Sequence, residues 1–99
     1  MIHVIARITV NPGKLDEFMA IFKANVPAVL AEAGCIAYTP CLDVATDFHQ
    51  TDPNAVTIVE RWESLDHLKA HLAAPHMKRY GDAVRDLRTG LELTVVEPA

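Results

Sequence analysis

Residues 55–80 read AVTIVERWESLDHLKAHLAAPHMKRY, and within this span the apolar period lengthens from that of a strand to that of a helix. Residues 55–63 are rich in β-branched side chains and predict a strand. Ser64 stands where a helix over residues 65–73 needs an N-cap, because its hydroxyl can accept from an unsatisfied amide of the first turn. Pro75 then opens a second helical stretch with Met77, Tyr80, Val84 and Leu87 on one face. Gly90 is read as its stop, and residues 91–97 as a closing strand.

The other half of the chain repeats the pattern in simpler form. In residues 1–10, Ile2, Val4, Ala6, Ile8 and Val10 recur at period two, which predicts a strand. Asn11-Pro12-Gly13 is a turn, after which Leu15, Phe18, Met19, Phe22, Val26, Val29 and Leu30 fall on one side of a helix. Pro27 is expected to kink that helix or break its hydrogen-bond ladder. Gly34 ends it. Residues 35–44 alternate Ile36, Tyr38, Pro40 and Leu42 with smaller or polar neighbours and predict a second strand, in which Pro40 implies an edge or a bulge. Residues 45–54 read as a loop. The order β-α-β-β-α(α)-β is that of an α+β, ferredoxin-like split βαβ fold with an antiparallel sheet, expected to be one domain over residues 1–99. Such a sheet carries its helices on one face. Here both faces look apolar, as in Val4-Ile5-Ala6, Ile58-Val59 and Val95-Val96. A second copy packed sheet to sheet is the economical cover, so a homodimer is expected, with Arg7 at its interface.

A chain of 99 residues can build only one core. Its formal net charge is −4, and its Lys and Arg residues are interspersed with acids, which argues against nucleic acid as a partner. The apolar start is short and interrupted by His3 and Arg7, unlike a signal peptide, and no run reaches membrane-spanning length. A cytoplasmic protein without membrane insertion is expected. Cys35 and Cys41, about 20 Å apart on an extended strand, cannot bridge one another.

The residues able to carry chemistry cluster in residues 60–80. His67 and His71 are four apart, but His67 is expected to point toward water, and no third ligand meets them, so no metal is expected. Leu65, Leu68 and Leu72 are read as the buried face of their helix, with His71 at its edge. His71 and His76 are the candidate bases, since imidazole accepts a proton near neutrality unaided. Glu60 and Trp62 share a strand face. A carboxyl there needs a partner or a raised pKa, and the indole can wall a flat ligand. Tyr38 and Tyr80, with Met77 and Leu68, complete an apolar lining for a small organic molecule. There is no glycine-rich phosphate loop and no nucleophile elbow.

The run VERWESLDHLKAHLAAPHMKRY, residues 59–80, resembles the signature of the antibiotic biosynthesis monooxygenase (ABM) family. In that signature a strand ends Glu-x-Trp-Glu-Ser and a helix carries Leu-x-x-His before Pro-His-Met. The opening VIARITVNPGK and the central GCIAY match the same family, so the resemblance spans nearly the whole chain and leans toward the bacterial quinol monooxygenases. It implies a dimeric α+β barrel. It also implies oxygenation of electron-rich aromatic diols by molecular oxygen without a metal or tightly held cofactor, and flavin supplied by another protein stays compatible with it. By position, His71 and His76 match the family's pocket histidines and Trp62 its strand tryptophan, with Glu60 as an orienting partner. Where the haem-degrading branch has an asparagine on the first strand, this chain has Ala6 and Arg7. Where the polyketide-oxidising branch has one on the third strand, it has Ile58. Two alternatives accompany this reading. One is an isomerase of a small phosphorylated or carbonyl compound, for which Lys78 and Arg79 would supply cations. The other is a non-catalytic small-molecule-binding module.

Overall fold

A computed structural model describes residues 1–99. The elements are β1 (Ile2–Val10), α1 (Leu15–Leu30), β2 (Cys35–Cys41), β3 (Ala55–Trp62), α2 (Leu65–Leu72), α3 (Pro75–Val84) and β4 (Arg88–Val96). The four strands form one antiparallel sheet in the order β2-β3-β1-β4, the ferredoxin-like α+β arrangement expected. β2 is an edge strand, which is how the sheet tolerates Pro40, and its pairing with β3 shifts register between Cys35 and Ala37. No helix is long and apolar enough to cross a membrane. Both cysteines are free.

The period-two set of β1 is buried throughout and meets Phe18, Phe22 and Val29 of α1 and Val84 of α3. The same face of β3 contributes Val56, Ile58, Glu60 and Trp62. Phe22 stacks on Tyr38 with ring centres 5.4 Å apart, and Phe18 and Tyr80 close the aromatic cluster.

Several boundaries differ from expectation, each for a local reason. α1 runs through Pro27 without interruption, because the missing N–H falls in the last turn, where only one bond of the ladder is lost. β2 stops at Cys41 instead of continuing to residue 44, since Asp43 turns away to accept both guanidinium nitrogens of Arg7 and the amide of Asp52. Gly90 does not stop a helix. α3 ends at Val84, and Gly90 lies inside β4 opposite Thr9, where a Cβ would come 2.7 Å from the Thr9 hydroxyl.

The reading of α2 also needs correction. Its buried residues are Leu68 and His71, while Leu65 and Leu72 are exposed. His71 therefore occupies the centre of the buried face, not its edge. His67, expected to point toward water, is only partly exposed. Its ring lies against the backbone of Gly34, and Ser64 Oγ is 2.7 Å from Nδ1.

The sheet face away from the helices is mixed, not uniformly apolar. Ile5 and Val59 sit opposite one another and exposed, beside the Arg7–Asp43 pair and Thr57. A second uncovered apolar surface lies on the helix side of β4. There Leu91, Leu93 and Val95 oppose Ile8, Ala6 and Val4 yet remain exposed.

Candidate functional site

His71 is 2 % exposed, its ring 4.7 Å from the Trp62 indole and 5.5 Å from Tyr38. A buried imidazole needs partners for its nitrogens. Nδ1 has one in Glu32 Oε2 at 2.7 Å, a carboxylate delivered by the turn after α1. A donating Nδ1 makes Nε2 the lone-pair nitrogen of the neutral ring, and Nε2 has no partner within the chain. The same Glu32 oxygen lies 3.2 Å from His76 Nε2, within ion-pair distance but not aligned for a hydrogen bond. His76 Nδ1 in turn meets Asn25 Oδ1 at 3.1 Å, so one carboxylate on α1's flank ties α2 to α3.

Glu60 and Trp62 interact along β3, the indole N–H donating to Glu60 Oε1 at 2.9 Å. Burial pushes the Glu60 carboxyl up to about 7. The Trp62 hydrogen bond opposes that rise, and the charge of Glu32 adds to it. Burial likewise pushes the Tyr38 phenol far up and that of Tyr80 up to about 12, so both remain hydroxyls.

These groups meet at a cavity of about 110 Å³ between sheet and helices, walled on one side by Tyr38, Glu60 and His71 and on the other by Met77 and Tyr80. Leu72, Leu91 and Leu93, all about half exposed, are the most exposed residues of its lining. Of the residues expected at the site, His71, Glu60, Tyr38, Tyr80 and Met77 line this cavity. Trp62 and Leu68 do not: the indole lies against His71 as backing, and Leu68 belongs to the core. His76 is also outside it, in an outer groove with Asn25 and Arg79. Three participants were not anticipated. Glu32 and Asn25 sit on or just after α1, where nothing in the local pattern marks them. Arg88, which lines the cavity from the start of β4, lies in the stretch read as helix up to Gly90.

The antibiotic biosynthesis monooxygenase family model matches residues 1–83. The chain is 39% identical over 106 aligned positions to an Escherichia coli K12 protein named Probable quinol monooxygenase YgiN, covering 99% of this chain and 98% of the relative. Among solved structures it is similar to a conserved protein from Methanosarcina mazei Go1, with TM-score 0.86 and 25% identity over 99% of this chain and 92% of the other. It is also similar to Rv0793 from Mycobacterium tuberculosis, with TM-score 0.83 and 27% identity over 99% and 94%.

Proposed function

The chain belongs to the antibiotic biosynthesis monooxygenase family, and from that premise we propose that it is a homodimeric quinol monooxygenase acting on a small electron-rich aromatic diol. The reaction uses molecular oxygen and needs neither a metal nor a tightly held cofactor. The observation that carries this reading is His71, a fully buried imidazole oriented through Nδ1 by Glu32, unpartnered at Nε2, in the wall of an apolar cavity.

A hydroquinone that gives up a proton becomes a strong electron donor, and a dry pocket shelters the anion from competing reactions. In this scheme His71 Nε2 takes a phenolic proton while Glu32 holds the ring and stabilises the imidazolium. Glu60, whose carboxyl titrates near neutrality, exchanges the second proton. His76 shares Glu32 with His71 and lines the outer groove, so the proton taken by His71 has a polar route toward solvent. One atom of oxygen enters the ring and the other leaves as water, with the diol supplying all the electrons and becoming a hydroxyquinone. Tyr38, Met77 and Tyr80 contact the ring, and Trp62 and Leu68 back the wall. At about 110 Å³ the enclosed volume is smaller than the roughly 150 Å³ apolar cavity that admits benzene, so a ring enters only as the half-exposed Leu72, Leu91 and Leu93 move aside. For the isomerase alternative, Lys78 and Arg79 are not among the cavity's walls.

Oxygen uptake with a panel of hydroquinones tests the proposal. The wild type should consume one O2 per diol without accumulating peroxide. His71→Asn, whose amide can replace Nδ1 toward Glu32 but has nothing at Nε2, should be slower by ~10²-fold, in the range for losing a general base. Full activity in that variant removes His71 from the chemistry, and no uptake with any diol removes the quinol reading.

A further inference from the structure

The apolar cavity carries charged groups of opposite sign, Glu60 toward one end and Arg88 toward the other. Glu60 lies opposite Val4 of β1, and Arg88 opposite Val10, six residues farther along. At ~3.3 Å per residue this sets their backbones about 20 Å apart, with both side chains reaching inward. Arg88 is half-buried at its end of the cavity and has no carboxylate in ion-pair reach and no hydrogen-bond partner. A half-buried guanidinium without a carboxylate partner in the chain is available to an anion that a ligand brings. The Tyr80 hydroxyl is in a similar position. Tyr80 is 8% exposed and lines the same cavity, and its oxygen is buried with no hydrogen-bond partner. A buried hydroxyl without a partner in the chain keeps its O–H free to donate to a ligand.

We propose that Arg88 and Tyr80 form an anion subsite, so that the preferred diol carries a carboxylate substituent at the end of the ring directed away from His71 and Glu60. Arg88 pairs with the carboxylate, and the Tyr80 hydroxyl donates to it. The hydroxyl-bearing end then faces the base, which fixes the direction in which the ring enters. The subsite's reach toward catalysis rests on the quinol reading, but the binding preference does not. A single guanidinium and one hydroxyl match a carboxylate monoanion better than a phosphate dianion, which calls for more donors.

The test compares three probes on the wild-type protein: gentisate, its methyl ester and unsubstituted hydroquinone. Binding is read by calorimetry under argon and turnover by oxygen uptake. Gentisate should bind ~10- to 100-fold more tightly than the ester, the range for a charge-assisted contact. Arg88→Gln should erase that preference, Arg88→Lys should keep part of it, and Tyr80→Phe should reduce it by a smaller factor. Equal affinity for acid and ester in the wild type overturns the subsite, whatever the variants do. Preference for the acid without oxygen uptake upholds the subsite and counts against the quinol reading instead.

Discussion

At the scale of single residues, Glu60 offers the clearest dependence on pH. Its carboxyl ordinarily titrates near 4.5, and in the fold burial raises it to about 7. Between those values the folded chain holds a proton that the unfolded chain has released. The stabilising contribution is therefore complete below about 4.5 and lost as pH rises through about 7. Thermal melts should show the midpoint falling across that interval, and Glu60→Gln, which still accepts from the Trp62 indole, should flatten this part of the curve. An unchanged slope in the variant would place the titrating group elsewhere. The pairing of Glu60 with Trp62 was legible in the sequence, because two residues apart on a strand means one face. Glu32 was not legible. It lies beyond the last turn of α1, and its role depends on α2 folding back over the sheet, which no local pattern records.

The elements themselves followed the hydrophobic period closely, and the misreadings came where one residue type serves two purposes. Gly90 looked like a helix stop and is instead a concession to the Thr9 hydroxyl across the sheet. Leu65 and Leu72 looked buried because an eight-residue helix was read as though its whole apolar side met the core, whereas only Leu68 and His71 do. Gly34 does not end α1, which stops at Leu30 with Ala31 as its cap; Gly34 lies in the turn that follows and answers a separate constraint. Its φ is +80°, and a Cβ there would come 2.3 Å from the His67 ring. Gly34→Ala should cost at least about 2 kcal/mol from the left-handed backbone and the clash together. That corresponds to a loss of roughly 10 °C for a domain of this size. Adding His67→Ala should restore part of the loss, because the ring atoms vanish while the backbone strain and the 2.8 Å approach to the His67 Cβ stay. No recovery in the double variant would show that the His67 ring is not the cause of the loss.

For the molecule as a whole, the expectation of a homodimer rests on apolar surface that one copy leaves uncovered. On the face away from the helices, Ile5 and Val59 lie exposed opposite one another. If that face packs on a second copy, Val59→Asp traps a carboxylate without a partner and should dissociate the protein to a species near 11 kDa in analytical ultracentrifugation. A wild-type protein that sediments at that mass at micromolar concentration would exclude the dimer. The fold class was readable from the element order, but which surfaces remain open was not, since that depends on how far the helices reach across the sheet. The turn between α1 and β2 is pinned three times: Glu32 holds His71, Gly34 abuts His67, and the Gly34 carbonyl accepts from the Glu63 amide at 2.9 Å. That side of the cavity behaves as fixed masonry. Leu72, Leu91 and Leu93, half in water, are its hinged door, so how quickly a ring arrives and how long it stays should be set by these three side chains and not by the pinned turn.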